Sequence, residues 1–463
     1  MRLLKGIFYQ LLSKLKYYSA DYESSLLYAK KSAKSFIKSK RIFNSRQLEF
    51  TIAKCTDKIL RERVATGSHA ANNRVGILAS TIFDVGGHTE CLMRFVESFH
   101  SEYELQLFLT NSNGDSRIEA TTKYAYLETV LTITETDSGN NNFANKISHL
   151  TDSILKSKIK MVFVYMHMDD VISCAILSYL AKHTDVKIIF FNHGDHTFSL
   201  GFEFTDLIIE LRKQGQYITQ HYRDKFNTTI IPLQGINADK NKTYSIAELL
   251  AKKNELGLSS NDLVSLSGFS SHKVFKDRNN SYLRYIKKLL SSEPKLKHVL
   301  VTEISSKDRK NIGTVFKGSE HLLDRLIIVD RVVEFDLLLQ VGDVFIDSFP
   351  LGSALVHIDA IRNKRPTIIK KNNQNELYTF YNYLYDGYEY AIDDIDEMIN
   401  RSLYLIRDQQ EQKNIAAKCY AHYLDTYEFL TIKKKYKQLI ENHQALDQFY
   451  TPLQAEYKIK VGV

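Results

Sequence analysis

A chain of 463 residues, 44% hydrophobic and 25% charged, is too long for one ordinary core and predicts two domains of globular composition. The net charge of +8 is uneven: residues 1–63 carry 15 Lys and Arg against 5 Asp and Glu, which leaves 47 against 49 for the rest. A near-neutral body argues against a nucleic-acid enzyme. The scattered Cys55, Cys91, Cys174 and Cys419 argue against a disulfide framework or zinc knuckle and suit a reducing, cytoplasmic setting.

Residues 1–65 read as helical and polybasic. Leu3, Leu4, Ile7, Phe8, Leu11, Leu12 and Leu15 recur at spacings of three and four, giving the first helix one apolar face. Either this face meets an anionic membrane surface, at the inner side of a membrane, or the segment is an extension packed on the body with its lysines solvated. Lys5, Lys14 and Lys16 interrupt the apolar run, so no signal peptide is expected. No run approaches the ~20 apolar residues of a membrane span.

From Arg74 the texture changes. Strands are predicted at 74–80, 103–110, 160–166, 186–193 and 206–211, with helical stretches between them and "NTTIIPLQGIN" (227–237) closing the series. A second series follows, with strands in "DLVSLSGFS", "KHVLVTE", "LDRLIIVD", "VGDVFIDSF" and "PTIIKK", then a helical tail. Strands alternating with helices predict parallel, doubly wound sheets. The expected division is a basic helical extension at 1–70, Rossmann-like domains at 71–240 and 241–395, and a tail at 396–463. Two such domains imply a facing cleft, with ligands beyond the carboxyl ends of the strands.

Four loops there carry candidate chemistry. "FDVGGHTE" offers Gly86 and Gly87 for close backbone approach to an anion, with His88 behind them, or it is a plain tight turn. It is not GxGxxG, so a dinucleotide fingerprint is absent. "FFNHGDHTFSLG" gathers His193, Asp195 and His196. They suit acid–base chemistry or simply face a substrate, while a metal site lacks further ligands. "LSGFSSHKVFKD" places Lys273 near a strand end, with no carboxylate before Asp277, to neutralise a phosphate or remain solvated.

The fourth loop is "DVFIDSFPLGSALVHIDAIRNKRPTII". Two of the chain's 5 prolines, Pro350 and Pro366, bracket one predicted helix. Gly352, Ser353 and Ala354 are expected to begin that helix and offer amides to an anion. Asp359, two turns after Gly352, is placed to accept hydrogen bonds from a ribose diol. Asp394-Ile395-Asp396 reads as a helix N-cap rather than a metal motif.

These residues resemble the donor-binding half of GT-B glycosyltransferases, nearest the O-linked N-acetylglucosamine transferases and the bacterial enzymes that glycosylate adhesins. The likeness covers about 260–370. "GFSSHKVFKD" puts Lys273 where that family meets the donor diphosphate. "IIVDRVVEFD" makes Arg331 and Val332 candidates for the uracil contact. "DSFPLGSALVHIDAIRNKRP" puts Asp359 in the ribose-binding place. Ser353-Ala354-Leu355-Val356 stand where the family has Gly-His-Thr-Thr, leaving backbone rather than hydroxyl contacts to phosphate. The resemblance implies metal-independent sugar transfer from a nucleotide sugar, a uridine diphosphate sugar first, to a protein or cell-surface glycan. No cofactor is implied beyond the donor. His88, His193 or His196 would deprotonate the acceptor or hold the sugar. Two alternatives share the architecture: a nucleotide-sugar 2-epimerase, drawing on Asp195, Glu203 and Glu210, and a catalytically silent binding subunit.

Overall fold

The computed structural model describes residues 1–61, 73–83, 86–111, 122–136, 142–237, 242–330, 334–452 and 456–460. The chain divides into two compact units, one of Met1–Pro232 with Lys433–Val463, the other of Leu233–Ile432.

The first unit opens with helices α1 (Arg2–Tyr18), α2 (Tyr22–Ser39) and α3 (Arg46–Ile59). Asp21 and Ser45 cap α2 and α3 by accepting from the Ser24 and Leu48 amides, donors a helix start leaves unpaired. Seven strands follow: β1 (Arg74–Ala79), β2 (Glu104–Leu109), β3 (Thr132–Glu135), β4 (Met161–Tyr165), β5 (Lys187–Asn192), β6 (Leu207–Glu210) and β7 (Thr228–Ile230). All pair in parallel, in the order β3-β2-β1-β4-β5-β6-β7. Helices α4 (Gly87–Phe99), α5 (Thr122–Val130), α6 (Phe143–Ser157), α7 (Val171–His183) and α8 (Lys213–Tyr222) connect them. Helices on both faces leave the central strands no solvent side, so β4 is an unbroken apolar run, buried throughout. Every residue of α7 from Val171 to Leu180 is also buried. The N-terminal helices share that core: Leu26, Phe36, Leu48 and Ile52 cluster with Ile172, Ile176 and Tyr179.

The second unit begins with α9 (Ile246–Glu255), whose start carries a reciprocal Ser245–Glu248 capping box. Its strands are β8 (Leu263–Gly268), β9 (Leu296–Val301), β10 (Leu326–Val329), β11 (Val344–Ile346), β12 (Thr367–Lys370) and β13 (Ala391–Ile392). They too are parallel, in the order β10-β9-β8-β11-β12-β13. Helices α10 (Ser281–Ser292), α11 (Ser306–Phe316), α12 (Phe335–Val341) and α13 (Leu355–Arg362) cross between strands, and α14 (Ile395–Arg407) and α15 (Gln409–Thr426) follow. Asp394 caps α14 by accepting from the Asp396 and Glu397 amides, so the Asp-x-Asp run is a helix start, as its sequence suggested.

The last helix, α16 (Phe429–Glu441), carries the chain back to the first unit. There Tyr436 packs edge-on against Phe95 and Phe163, and the Thr451 amide donates to Thr228 O at 2.7 Å beside β7. Sequence reading missed β3 and β13. Both lie at sheet edges; β3 buries little of its Thr-rich surface and β13 is two residues long, so neither shows the apolar run that marks a central strand.

Candidate functional site

In a doubly wound sheet the crevice for a ligand opens where the strand order reverses. In the second unit that point lies between β8 and β11, because β9 and β10 run one way from β8 and β11 to β13 the other. The loops leaving these two strands hold Lys273 and the Asp347–Ala354 turn.

Lys273 ends a short 3-10 turn after β8, and its ammonium donates to Gly352 O at 2.7 Å. Burial pushes its pKa down to about 8, while Asp347 pulls it upward. By sequence this lysine has no nearby carboxylate before Asp277; the carboxylate that acts on it is Asp347, the residue after β11. Asp347 is buried and organises the turn, accepting from the Ser348 and Ser353 amides at 2.9 Å each. Gly352 is required by close approach: a Cβ there would stand 2.3 Å from the Phe380 ring and 2.9 Å from Asp347 Oδ2.

This arrangement corrects the predicted anion cradle. Gly352, Ser353 and Ala354 do not begin the helix. The Ser353 amide is taken by Asp347, and the Gly352 amide points to Tyr378 O at 3.4 Å. Helix α13 starts at Leu355, with Ala354 as its N-cap at φ 57° and ψ −105° and no side-chain cap. Positive φ at a residue with a Cβ is strained, and such strain persists where surrounding structure holds it, often at binding sites. The uncapped donors are therefore the first-turn amides of Leu355, Val356 and His357.

The same helix carries a group sequence reading did not single out. His357 is fully buried, and neither ring nitrogen has a hydrogen-bond partner. Burial lowers its pKa to about 4, against a raising effect from Asp347. Ser353 Oγ is likewise buried without a partner. Unsatisfied buried polar atoms are rare and call for an explanation. Two such groups beside the uncapped helix start fit a polar ligand.

Asp359 lies one turn beyond Val356 on the same face of α13. Val356 itself reaches Gly268 at the end of β8: a Cβ on Gly268 would be 3.2 Å from Val356 Cγ1 and 2.8 Å from Phe335. Asp359 thus stands on the side of α13 that faces the switch point. Its Oδ1 is 3.6 Å from Arg362 Nε, and Arg362 also bonds Asp336 Oδ1 on α12. Because α13 starts at Leu355, Asp359 is in its second turn and not two turns after a helical Gly352. Arg331 and Val332 lie outside the described residues.

In the first unit the order reverses between β1 and β4. Gly86, at φ 153°, is the N-cap of α4, again without a side-chain cap, and a Cβ on it would meet nothing within 4 Å. Gly87 is the first helical residue and both glycines are exposed. His88 Nε2 lies 2.8 Å from Tyr165 O. A carbonyl only accepts, so that nitrogen carries the proton and the partnerless Nδ1 holds a lone pair. Its ring centroid is 4.5 Å from that of His193 and 5.2 Å from that of His167. Burial pushes all three below the ordinary histidine range, His193 to about 3; neighbouring histidines add to the shift at His88 and His193, and Lys30 adds to it at His167 against Asp170 and Asp169. They are neutral at physiological pH.

His167 was missed because it follows β4 in an unremarkable "MHMDD"; only β4 pairing beside β1 brings it to His88. It is held by Ser80, whose hydroxyl accepts from the His167 amide at 2.8 Å and donates to Asp170 at 2.6 Å. His196 is directed elsewhere. Its Nδ1 is 3.1 Å from Asp195 Oδ1, and Arg212 binds both oxygens of that carboxylate. The carboxylates an epimerase would draw on are committed. Asp195 is held by Arg212, Glu203 pairs with Arg46 and Lys225, and Glu210 is fully buried under Asn192 and Thr219.

Comparison with protein-family profiles returns no match, and neither does comparison with curated proteins. Comparison with solved structures does. A glycosyltransferase from Rickettsia africae superposes with a TM-score of 0.63 at 13% identity, over 81% of this chain and 100% of that one. Anabaena HepE, solved with UDP and glucose, gives 0.61 at 14% identity, over 80% and 99%. The O-GlcNAc transferase of Thermobaculum terrenum gives 0.53 at 10% identity, over 96% and 85%. With the two parallel sheets, these likenesses establish the GT-B fold that the sequence resemblance implied.

Proposed function

We propose that this protein is a glycosyltransferase taking its sugar from a nucleotide donor, a uridine diphosphate sugar first. The observation that carries the reading is Lys273 bonded to Gly352 O, in the turn that runs into the uncapped start of α13, at the switch point of the second sheet. An ammonium beside free first-turn amides can form an anion site. The UDP and UDP-glucose held by Anabaena HepE, on the same fold, suggest which anion.

On this reading the donor diphosphate draws the Lys273 ammonium away from Gly352 O. The first-turn amides of α13 bind the second phosphate, and Asp359, oriented by Arg362, accepts from the ribose hydroxyls. An acceptor hydroxyl oxygen then bonds the anomeric carbon as the bond from that carbon to the diphosphate breaks. The electron pair leaves on the diphosphate, where Lys273 and the helix start stabilise it. The hydroxyl proton passes to a neutral imidazole. Among His88, His193 and His196 we assign it to His88, whose tautomer is fixed by Tyr165 O and whose Nδ1 lone pair is unpartnered. A lysine and backbone amides in the place of a cation make the reaction metal-independent. The acceptor is a hydroxyl of a protein or a cell-surface glycan.

The test is a donor screen reading nucleoside diphosphate release, with and without cell-envelope extract, run alongside calorimetric binding of UDP. Release abolished by Lys273→Met, with folding intact, supports the reading. Binding of UDP without turnover of any donor would favour the silent subunit, and epimerised donor without acceptor would favour the epimerase. No binding of UDP or of any nucleotide sugar overturns the donor site itself.

A further inference from the structure

Helix α1 packs with its small residues inward. Gly6 sits against Phe36, whose ring a Cβ would meet at 2.4 Å. Ser13 and Ser25 exchange hydroxyl-to-carbonyl bonds at 2.9 Å and 2.8 Å, and Ser32 Oγ donates to Gly6 O at 2.8 Å. The large apolar residues point the other way. Leu4, Ile7, Phe8, Leu11, Leu15 and Tyr18 are 70%, 43%, 57%, 55%, 63% and 66% exposed. At about 100° per residue these six fall within one arc of about 100°. A lone exposed leucine is ordinary, but a continuous stripe marks a contact surface. By the same spacing Lys14 borders one edge of the stripe and Lys5 and Lys16 the other, and α1 has no acidic residue.

The geometry points to this stripe as the face on which the protein lies on an anionic lipid bilayer. The apolar side chains enter the boundary between headgroups and acyl chains, and Lys5 and Lys14 meet lipid phosphates, while Lys16 pairs with Asp21 at 3.1 Å. The excess of 15 basic over 5 acidic residues in 1–63 selects lipid over a second copy of the chain, since a two-fold interface would oppose like charges. No helix among the described residues is long and apolar enough to cross a membrane, so the contact through α1 is interfacial. The inference does not depend on sugar transfer.

The chain contains no Trp, so Leu11→Trp supplies a single reporter in the middle of the stripe. The full-length protein is mixed with vesicles of phosphatidylcholine alone or with added phosphatidylglycerol. The expected result is co-sedimentation with the anionic vesicles, weakened by salt, and a blue shift of the indole emission. The double change Phe8→Asp/Leu15→Asp lowers partitioning roughly tenfold or more, and Lys5→Glu/Lys14→Glu abolishes the preference for anionic lipid. Helical circular dichroism and UDP binding, unchanged in these variants, separate loss of docking from loss of fold or of the donor site. The inference is overturned if the protein stays in the supernatant with both vesicles. It is equally overturned if the indole emission does not move on sedimentation, or if light scattering finds a dimer that Phe8→Asp dissociates.

Discussion

Lys273 gives the most direct test of the donor site, because its titration and its proposed ligand are coupled. In the free protein, burial places its pKa at about 8, so near pH 7 roughly nine-tenths of the molecules carry the charge and near pH 9 roughly one-tenth. A bound diphosphate favours the ammonium and raises that pKa. Binding above pH 8 therefore requires proton uptake, and affinity falls as pH rises through the free-state value. UDP should bind about tenfold more weakly at pH 9 than at pH 7. Lys273→Arg keeps its charge throughout and should be flat over the same window, apart from any titration of UDP itself, which subtracts out. Lys273→Met should weaken binding roughly tenfold to a hundredfold at pH 7, the range of a charge-assisted hydrogen bond. Isothermal titration calorimetry in buffers of different ionisation enthalpy reads both the affinity and the protons taken up. Identical slopes for wild type and the Arg variant, or no proton uptake at pH 8.5 and above, would refute the placement of the diphosphate at Lys273.

Further changes probe other parts of the two units. Asp359→Asn should weaken binding of UDP more than binding of inorganic pyrophosphate, since only UDP carries the ribose; equal losses would remove Asp359 from the ribose contact. His357→Phe should leave the melting temperature nearly unchanged, because neither ring nitrogen makes a bond, yet reduce nucleotide affinity; unaltered affinity would make His357 a passive core residue. His88→Ala should lower kcat by roughly a hundredfold or more while UDP binding holds, and an unaltered kcat would return the base to another residue. Gly352→Ala should cost about 1–3 kcal/mol by forcing a methyl against Phe380, with part of the loss recovered in Gly352→Ala/Phe380→Leu. Glu49, fully buried, has its pKa raised from 4.5 to about 8, so the folded state holds a proton that the unfolded chain has released. Stability from this group therefore declines as pH rises from about 4.5 towards 8. Glu49→Gln should gain in melting temperature relative to wild type across that window, and a constant difference would contradict the assignment.

Much of this was legible in the residues. Unbroken apolar runs such as "MVFVY" marked the central strands, and Gly, Pro and helix caps marked where they stopped. Lys273 and the Gly352–Asp359 segment were identified because each follows a strand, and the carboxyl ends of parallel strands are where such folds bind ligands. The start of α13 was not legible. Small residues at 352–354 suit a helix start by local pattern, but Asp347, six residues before Ser353, closes the turn on the Ser353 amide and delays the helix to Leu355. The grouping of His88 with His167 was also hidden, since it depends on β4 pairing with β1 across more than eighty residues of chain.

Local pattern by itself determined the alternation of strand and helix, the parallel sheets and the loops able to carry chemistry, because periodicity and turn chemistry act over a few residues. Tertiary structure decided strand order, and with it which loops meet: β8 beside β11, β1 beside β4. It also decided which face of α1 was buried. Periodicity showed that the helix had an apolar side, but the close approach that Gly6 and Ser13 allow to α2 turned that side outward, and such long-range packing is a property of the assembled fold rather than of any stretch of sequence.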